Sequence, residues 1–147
     1  IPNHGKDQFS LTYVQDLVQS ILLSIQPAED RNVYNITSSP MITIKQIIDI
    51  ASNILNKKPN FINASSSFLK EENIQKWSEM PLWLDCNFFT FDNKKLLANY
   101  NFSLIPLEES IKATILYYEK QGWQTPIFGI NREKQQALIN NRLSSNL

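Results

Sequence analysis

Three glycines, Gly5, Gly122 and Gly129, are all that 147 residues contain. Glycine is what lets a backbone approach a phosphate closely. Neither of the common glycine-rich phosphate loops can therefore be written anywhere in this chain. The rest of the composition is that of a folding sequence, with 42% hydrophobic and 19% charged residues, which excludes disorder along the whole length. At this length a single domain is expected. Fourteen Lys and Arg offset fourteen Asp and Glu, a formal net charge of +0. That balance supplies no long-range pull on polyanions and counts against a dedicated nucleic-acid or anionic-membrane binder. No apolar run approaches the ~18 residues of a membrane span, and the opening residues lack the basic and apolar regions of a signal peptide. The lone Cys86 allows no internal disulfide, which fits a reducing cytosol. Because it starts on Ile1, the chain reads as a processed product or a piece of something longer.

Periodicity divides the chain into helices and short strands. Phe9, Leu11 and Tyr13 alternate with polar neighbours as a strand, and Val14, Leu17, Val18, Ile21, Leu22 and Ile25 then form one helical apolar stripe that Pro27 stops. A second strand is expected at Val33-Tyr34-Asn35-Ile36-Thr37, with Ser38-Ser39-Pro40 as a break. Thr43, with Gln46 three residues on, is a capping box, and Ile44, Ile47, Ile48, Ala51, Ile54 and Leu55 supply the buried face of the helix it starts. A weak strand follows at Asn60-Phe61-Ile62-Asn63. From Ala64 to Leu84 a long loop is expected, with a short helix over 69–77. Asn87-Phe88-Phe89-Thr90-Phe91 reads as a fourth strand, and Asp92 caps a helix through Tyr100. Pro106 opens a third strong helix, with Glu108 and Glu109 at its positive end and Gly122 ending it. Residues 131–141 suggest one more amphipathic helix before a polar tail.

No complete catalytic apparatus is written in these residues. His4 is the one histidine and lies near the start, where it reads as a solvated side chain. Cys86 without a nearby base reads as a half-buried structural thiol. One His and one Cys do not make a tetrahedral zinc site. Glu71/Glu72 and Glu108/Glu109 are sequence neighbours that diverge on a helix, so they read as solvated faces. Trp77, Trp83 and Trp123 are core or interface material at this frequency.

Four ordered phrases resemble the extended short-chain dehydrogenases/reductases, the NAD-dependent epimerase/dehydratase group. They are Leu11-Thr12-Tyr13-Val14-Gln15-Asp16-Leu17, then Val33-Tyr34-Asn35-Ile36-Thr37 before the Thr43 helix, then Asp92-Asn93-Lys94-Lys95-Leu96, and last the helix from Pro106 to Tyr118. The resemblance implies an α+β fold, the C-terminal substrate-binding domain of such a protein, with three main helices and three or four short strands over residues 1–122 and a tail at 123–147. It implies that the N-terminal Rossmann domain lies outside this chain, holds NAD(P), and is this domain's partner. Strands near Phe9 and Val33 would then complete a sheet begun by that missing half. No Tyr-x-x-x-Lys pair, the family's catalytic couple, is present.

The implied function is the substrate-binding half of a nucleotide-sugar epimerase/dehydratase-like protein, not catalytic by itself, binding no cofactor alone, and cytoplasmic or stromal. Asp85 and Asn87, ahead of Phe88-Phe89, are the substrate-facing candidates, each with packing of a strand-initiating loop as the alternative. Asn35 reads as a backbone tie. Typical members grip the diphosphate with Arg in two places; here Phe9 and Ser10 stand at the first and Leu82, Trp83 and Leu84 at the second, which implies weak, altered or absent nucleotide-sugar binding. Pro81, Asp85, Phe88, Phe89 and Lys94 also resemble an atypical branch, the chloroplast stem-loop RNA-binding proteins and their relatives. That makes RNA binding or processing the alternative, which zero net charge disfavours. A degenerate interaction module is a third reading.

Overall fold

Strand β1 (Gln8–Leu11) lies between two partners in the computed structural model, which describes residues 1–25, 32–84, 86–101, 103–124 and 128–144. On one side β2 (Ser39–Thr43) runs antiparallel, with Phe9 opposite Ile42 and a bulge between Phe9 and Leu11. On the other, the two-residue β3 (Phe88–Phe89) runs parallel. The six helices described are α1 (Val14–Ser24), α2 (Ile44–Leu55), α3 (Ser66–Glu71), α4 (Lys94–Asn99), α5 (Leu107–Lys120) and α6 (Arg132–Ser144). The mixed α+β class expected from the sequence is thus observed, with its described strands forming one sheet of order β2-β1-β3.

Two apolar centres hold it together. Phe9, Ile42 and Ile44 are buried beneath Ile47, Ile48 and Leu107, joining the sheet to α2 and α5. Ala64, Leu69, Ile74 and Trp83 form the second, packed by Phe68, Met80 and Leu138. Trp83 is fully buried, and its indole N–H donates to Ser66 Oγ at 3.1 Å, so the one polar atom of a large core residue is satisfied.

Local chemistry explains where the helices start and stop. Thr43 Oγ1 accepts from the Gln46 amide at 3.2 Å while Gln46 Oε1 accepts from the Thr43 amide at 2.9 Å, the reciprocal box that the sequence predicts. Asn56 takes the left-handed conformation that ends α2. The C-terminus of α5 closes as a Schellman motif: the Gly122 amide donates to the Glu119 carbonyl, and the Trp123 amide to that of Tyr118. The Trp123 and Tyr118 rings stack with centroids 6.5 Å apart, the hydrophobic contact that accompanies such caps. With glycine scarce, left-handed positions fall to other residues, including the bulky Trp77 (φ 65) and Leu82 (φ 62). Each costs about 1–2 kcal/mol that the surrounding packing must offset.

Several expectations need correction. Residues 33–37 belong to no strand, whereas the stretch containing Pro40, expected as a break, is β2. It lies at the sheet's edge, where proline's missing N–H removes no ladder bond. Residues 60–63 form no strand, and the helix expected over 69–77 is instead α3, started by Ser65, whose Oγ accepts from the Phe68 amide. Cys86 is exposed rather than half-buried. The strand at Phe9 is the middle of this sheet, with both neighbours supplied by this chain.

α6 reaches back over the second core. Leu138 packs into it, Arg142 Nε donates to the Asn63 carbonyl at 3.1 Å, and Lys134 pairs with Glu79. The Lys134 hydrogen bond, helped by the Gln75 amide, holds the Glu79 carboxyl below its ordinary value of 4.5. A depressed carboxyl stabilises the fold above that value and loses the contribution as pH falls through the folded one. Glu79→Gln is therefore expected to lower stability at neutral pH and to flatten the acid limb below pH 4.5. Urea midpoints measured across that range check it, and an unchanged acid limb contradicts it.

Candidate functional site

α1 is turned the unusual way round. Its residues inside the protein are the polar ones, Asp16 and Ser20, at 0% and 5% exposure. Val14, Leu17, Val18, Ile21 and Leu22 face outward, with Leu17 at 37% and Val14 at 61%, as does Ile25 just past the helix end at 71%, while Leu23 is half-buried. The cause is a single polar anchor. Asp16 Oδ1 accepts the Ile105 amide at 3.1 Å, just ahead of α5, while Ser20 Oγ donates to the Asp16 carbonyl. Asp16 Oδ2 is buried with no partner among the described residues. Rotating the stripe inward would carry this carboxylate out and orphan a buried amide, at a cost of about 1–3 kcal/mol.

The segment 33–37 is tied to the turn before α1 and to the start of α4. Thr12 Oγ1 donates to the Ile36 carbonyl at 2.6 Å, and buried Asn93 donates through Nδ2 to the Thr37 carbonyl at 2.7 Å. Asn35 Nδ2 donates to the Asp92 carbonyl at 3.2 Å, the backbone tie expected of it. Lys95 Nζ donates to the Val33 carbonyl and sits 5.0 Å from the centre of the Tyr34 ring, which packs edge-on against Tyr100. These ties come from side chains. The backbone amides of Val33, Asn35, Ile36 and Thr37 donate to no backbone carbonyl among the described residues. Val33 is 85% exposed. Nothing in the residue types marked Thr12, Asn93 and Lys95 as fasteners of this segment; only the β-branched run at 33–37 was readable.

The expected substrate-facing pair divides. Asp85 lies outside the described residues. Asn87 is exposed, and its main-chain carbonyl accepts from the Gln8 amide at 3.0 Å where β3 joins β1. That contact is the strand-initiating role, and it leaves the Asn87 side chain in solvent. Cys86 beside it donates its thiol to the Phe88 carbonyl at 3.4 Å. Phe88, Phe89 and Phe91 are all exposed, the last two packed edge-to-face at 5.0 Å. Ser10 and Trp83, where the family resemblance implies phosphate-gripping arginines nearby, are committed elsewhere: Ser10 Oγ accepts the Phe91 amide at 2.7 Å and Trp83 is core. The Asp92 carboxyl accepts the Lys94 amide at the start of α4, and that bond holds it below the usual aspartate range.

Among the described residues no group of three His, Cys, Asp or Glu side chains is placed to hold a metal. No helix is long and apolar enough to cross a membrane. The three glycines all have positive φ, with Gly5 in a single helical turn near the start and Gly122 in the cap of α5. Comparison with family models, with curated proteins and with solved structures returns no match to this chain.

The anchor is testable. Asp16→Ala leaves the Ile105 amide without an acceptor and is expected to cost about 1–3 kcal/mol in urea unfolding, while Asp16→Asn keeps Oδ1 and costs less. Equal stability of the alanine variant and the parent would show that the Ile105 contact does not set the rotation of α1.

Proposed function

We propose that this chain is the substrate-binding half of an NAD(P)-dependent nucleotide-sugar epimerase/dehydratase-like protein, docked in the complete molecule against a Rossmann domain and not catalytic by itself. The observation that carries this reading is the outward stripe of α1. A helix with its polar anchor inward and six apolar side chains in water belongs to the middle layer of something larger. The neighbouring segment fits the same picture. A helix followed by a run rich in β-branched residues that pairs with no described strand has the form of the last helix and strand of an α/β sheet whose other strands come from elsewhere. Docking of such a sheet covers the stripe and gives residues 33–37 a strand to pair with.

In this reading the dinucleotide belongs to the docked domain, whose glycines and Tyr/Lys pair carry the redox chemistry. This chain's own contribution is to close over the sugar from the side of Asp85 and Asn87. Without arginines at the two phosphate-gripping places, the diphosphate is held weakly, since each missing charge-assisted bond forgoes about 1.5–3 kcal/mol. Specificity therefore rests on the sugar and on shape.

Thermal denaturation of the full-length protein tests the proposal. NAD or NADP is expected to raise the melting temperature by several degrees, because at a hundredfold excess over Kd a ligand adds about 2.7 kcal/mol. A UDP- or dTDP-sugar is expected to add a smaller rise. Replacing Leu17 and Leu22 together by Asp is expected to lower the melting temperature in the absence of ligand, by placing charge in the docked face. No rise with either dinucleotide and no effect of the double substitution would remove the reading. Salt-dependent retention of stem-loop RNA without any dinucleotide response would replace it by RNA binding, for which exposed Phe88 and Phe89 offer stacking surfaces.

A further inference from the structure

α2 and α5 pack against each other, and a groove of about 350 Å³ is lined by both, together with the turn from β1 into α1. Its size lies at the lower end of the range for small-molecule sites. Ile47 and Ala51 line it from α2, and Ile111 and Ile115 from α5. None of the described lining residues is charged. A charged ligand would therefore lose its hydration with no opposite charge to replace it, whereas a neutral one would not.

Two features give the groove more than apolar character. Half-buried Tyr13 and Ser39 line it, and neither side-chain hydroxyl has a hydrogen-bond partner among the described residues. At its mouth the Tyr118 and Trp123 rings lie within 19° of parallel, with about half of each side chain exposed. Trp123 is held there by its backbone. Its amide donates to the Tyr118 carbonyl at 3.0 Å, and its φ of 49° is one that few side chains of this size adopt. The pair is thus a fixed flat surface beside free hydroxyls, which complements a flat ring bearing a hydroxyl or carbonyl.

We propose that this groove binds a neutral, planar, largely apolar molecule, an aromatic or heteroaromatic ring system whose hydroxyl or carbonyl groups meet Tyr13 and Ser39. It shares no residue with the α1 stripe or with residues 33–37, so it stands or falls apart from the docking of a second domain.

The test is titration of the chain with the neutral fluorescent probe N-phenylnaphthylamine. Saturable enhancement at one site per chain is expected. Ala51→Phe and Thr114→Phe, which place a ring in the groove from opposite walls, are each expected to weaken binding by roughly tenfold or more. Circular dichroism establishes that each variant is folded, and Thr114 is exposed enough to keep the second one so. Leu22→Lys on α1 is expected to leave probe binding unchanged. The anionic probe anilinonaphthalene sulfonate is expected to bind this groove more weakly. Enhancement that survives both filling variants, that disappears with Leu22→Lys, or that is equal for the anionic probe overturns the proposal.

Discussion

The bond from the Ile105 amide to Asp16 Oδ1 decides which way this molecule faces. An amphipathic helix ordinarily orients itself by its apolar side, and on area alone α1 would bury Leu17, Val18 and Ile21. Each such side chain is worth about 1.5–3 kcal/mol when fully buried, so a single polar contact does not win by strength. It prevails because the inner surface near α5 offers an amide that only an acceptor can satisfy, and because Ser20, one turn further on, is small enough to lie against the same wall. The apolar face is left exposed.

The same division runs through the rest of the sheet side. Residues 33–37 are fastened from within by Thr12, Asn93 and Lys95, all through side chains, and belong to no described strand. On the opposite side of the molecule's chemistry, the Trp83 cluster is complete in itself. Its indole is paired, its walls come from α3, the loop before Trp83 and α6, and its polar rim is tied by Glu79 and Lys134. One part of this chain is thus enclosed, and another, the apolar face of α1, is exposed.

What could be read in advance follows from how local each signal is. Thr43 and Gln46 announce α2 because both halves of the capping box lie within four residues. Pro106 and Gly122 bracket α5 for the same reason. Residues 33–37 have strand chemistry, but a strand is defined by its partner, and no described segment pairs with it. β2 was hidden by Pro40, which breaks a central strand but not an edge. The stripe of α1 was plain in the sequence, yet periodicity gives only the existence of a face and never the body it meets. Of the candidate site, Asn87 was found at the junction of β3 with β1, where its carbonyl rather than its side chain is used. The Asp16 anchor was unreadable, because its partner amide lies 89 residues away.

The sheet's order has a temporal meaning as well. β1 lies near the start of the chain, yet one of its edges is completed only by Phe88 and Phe89, and the Ser10 hydroxyl meets a backbone amide 81 residues later. As the chain leaves the ribosome, β1 can pair with β2 early, but its other edge stays open until most of the later elements have been synthesised. Contacts of such long separation form slowly, because the loop must close before the bonds reward it. The central strand is therefore the first of the three to be made, and it gains its second neighbour only when the last of them has been made.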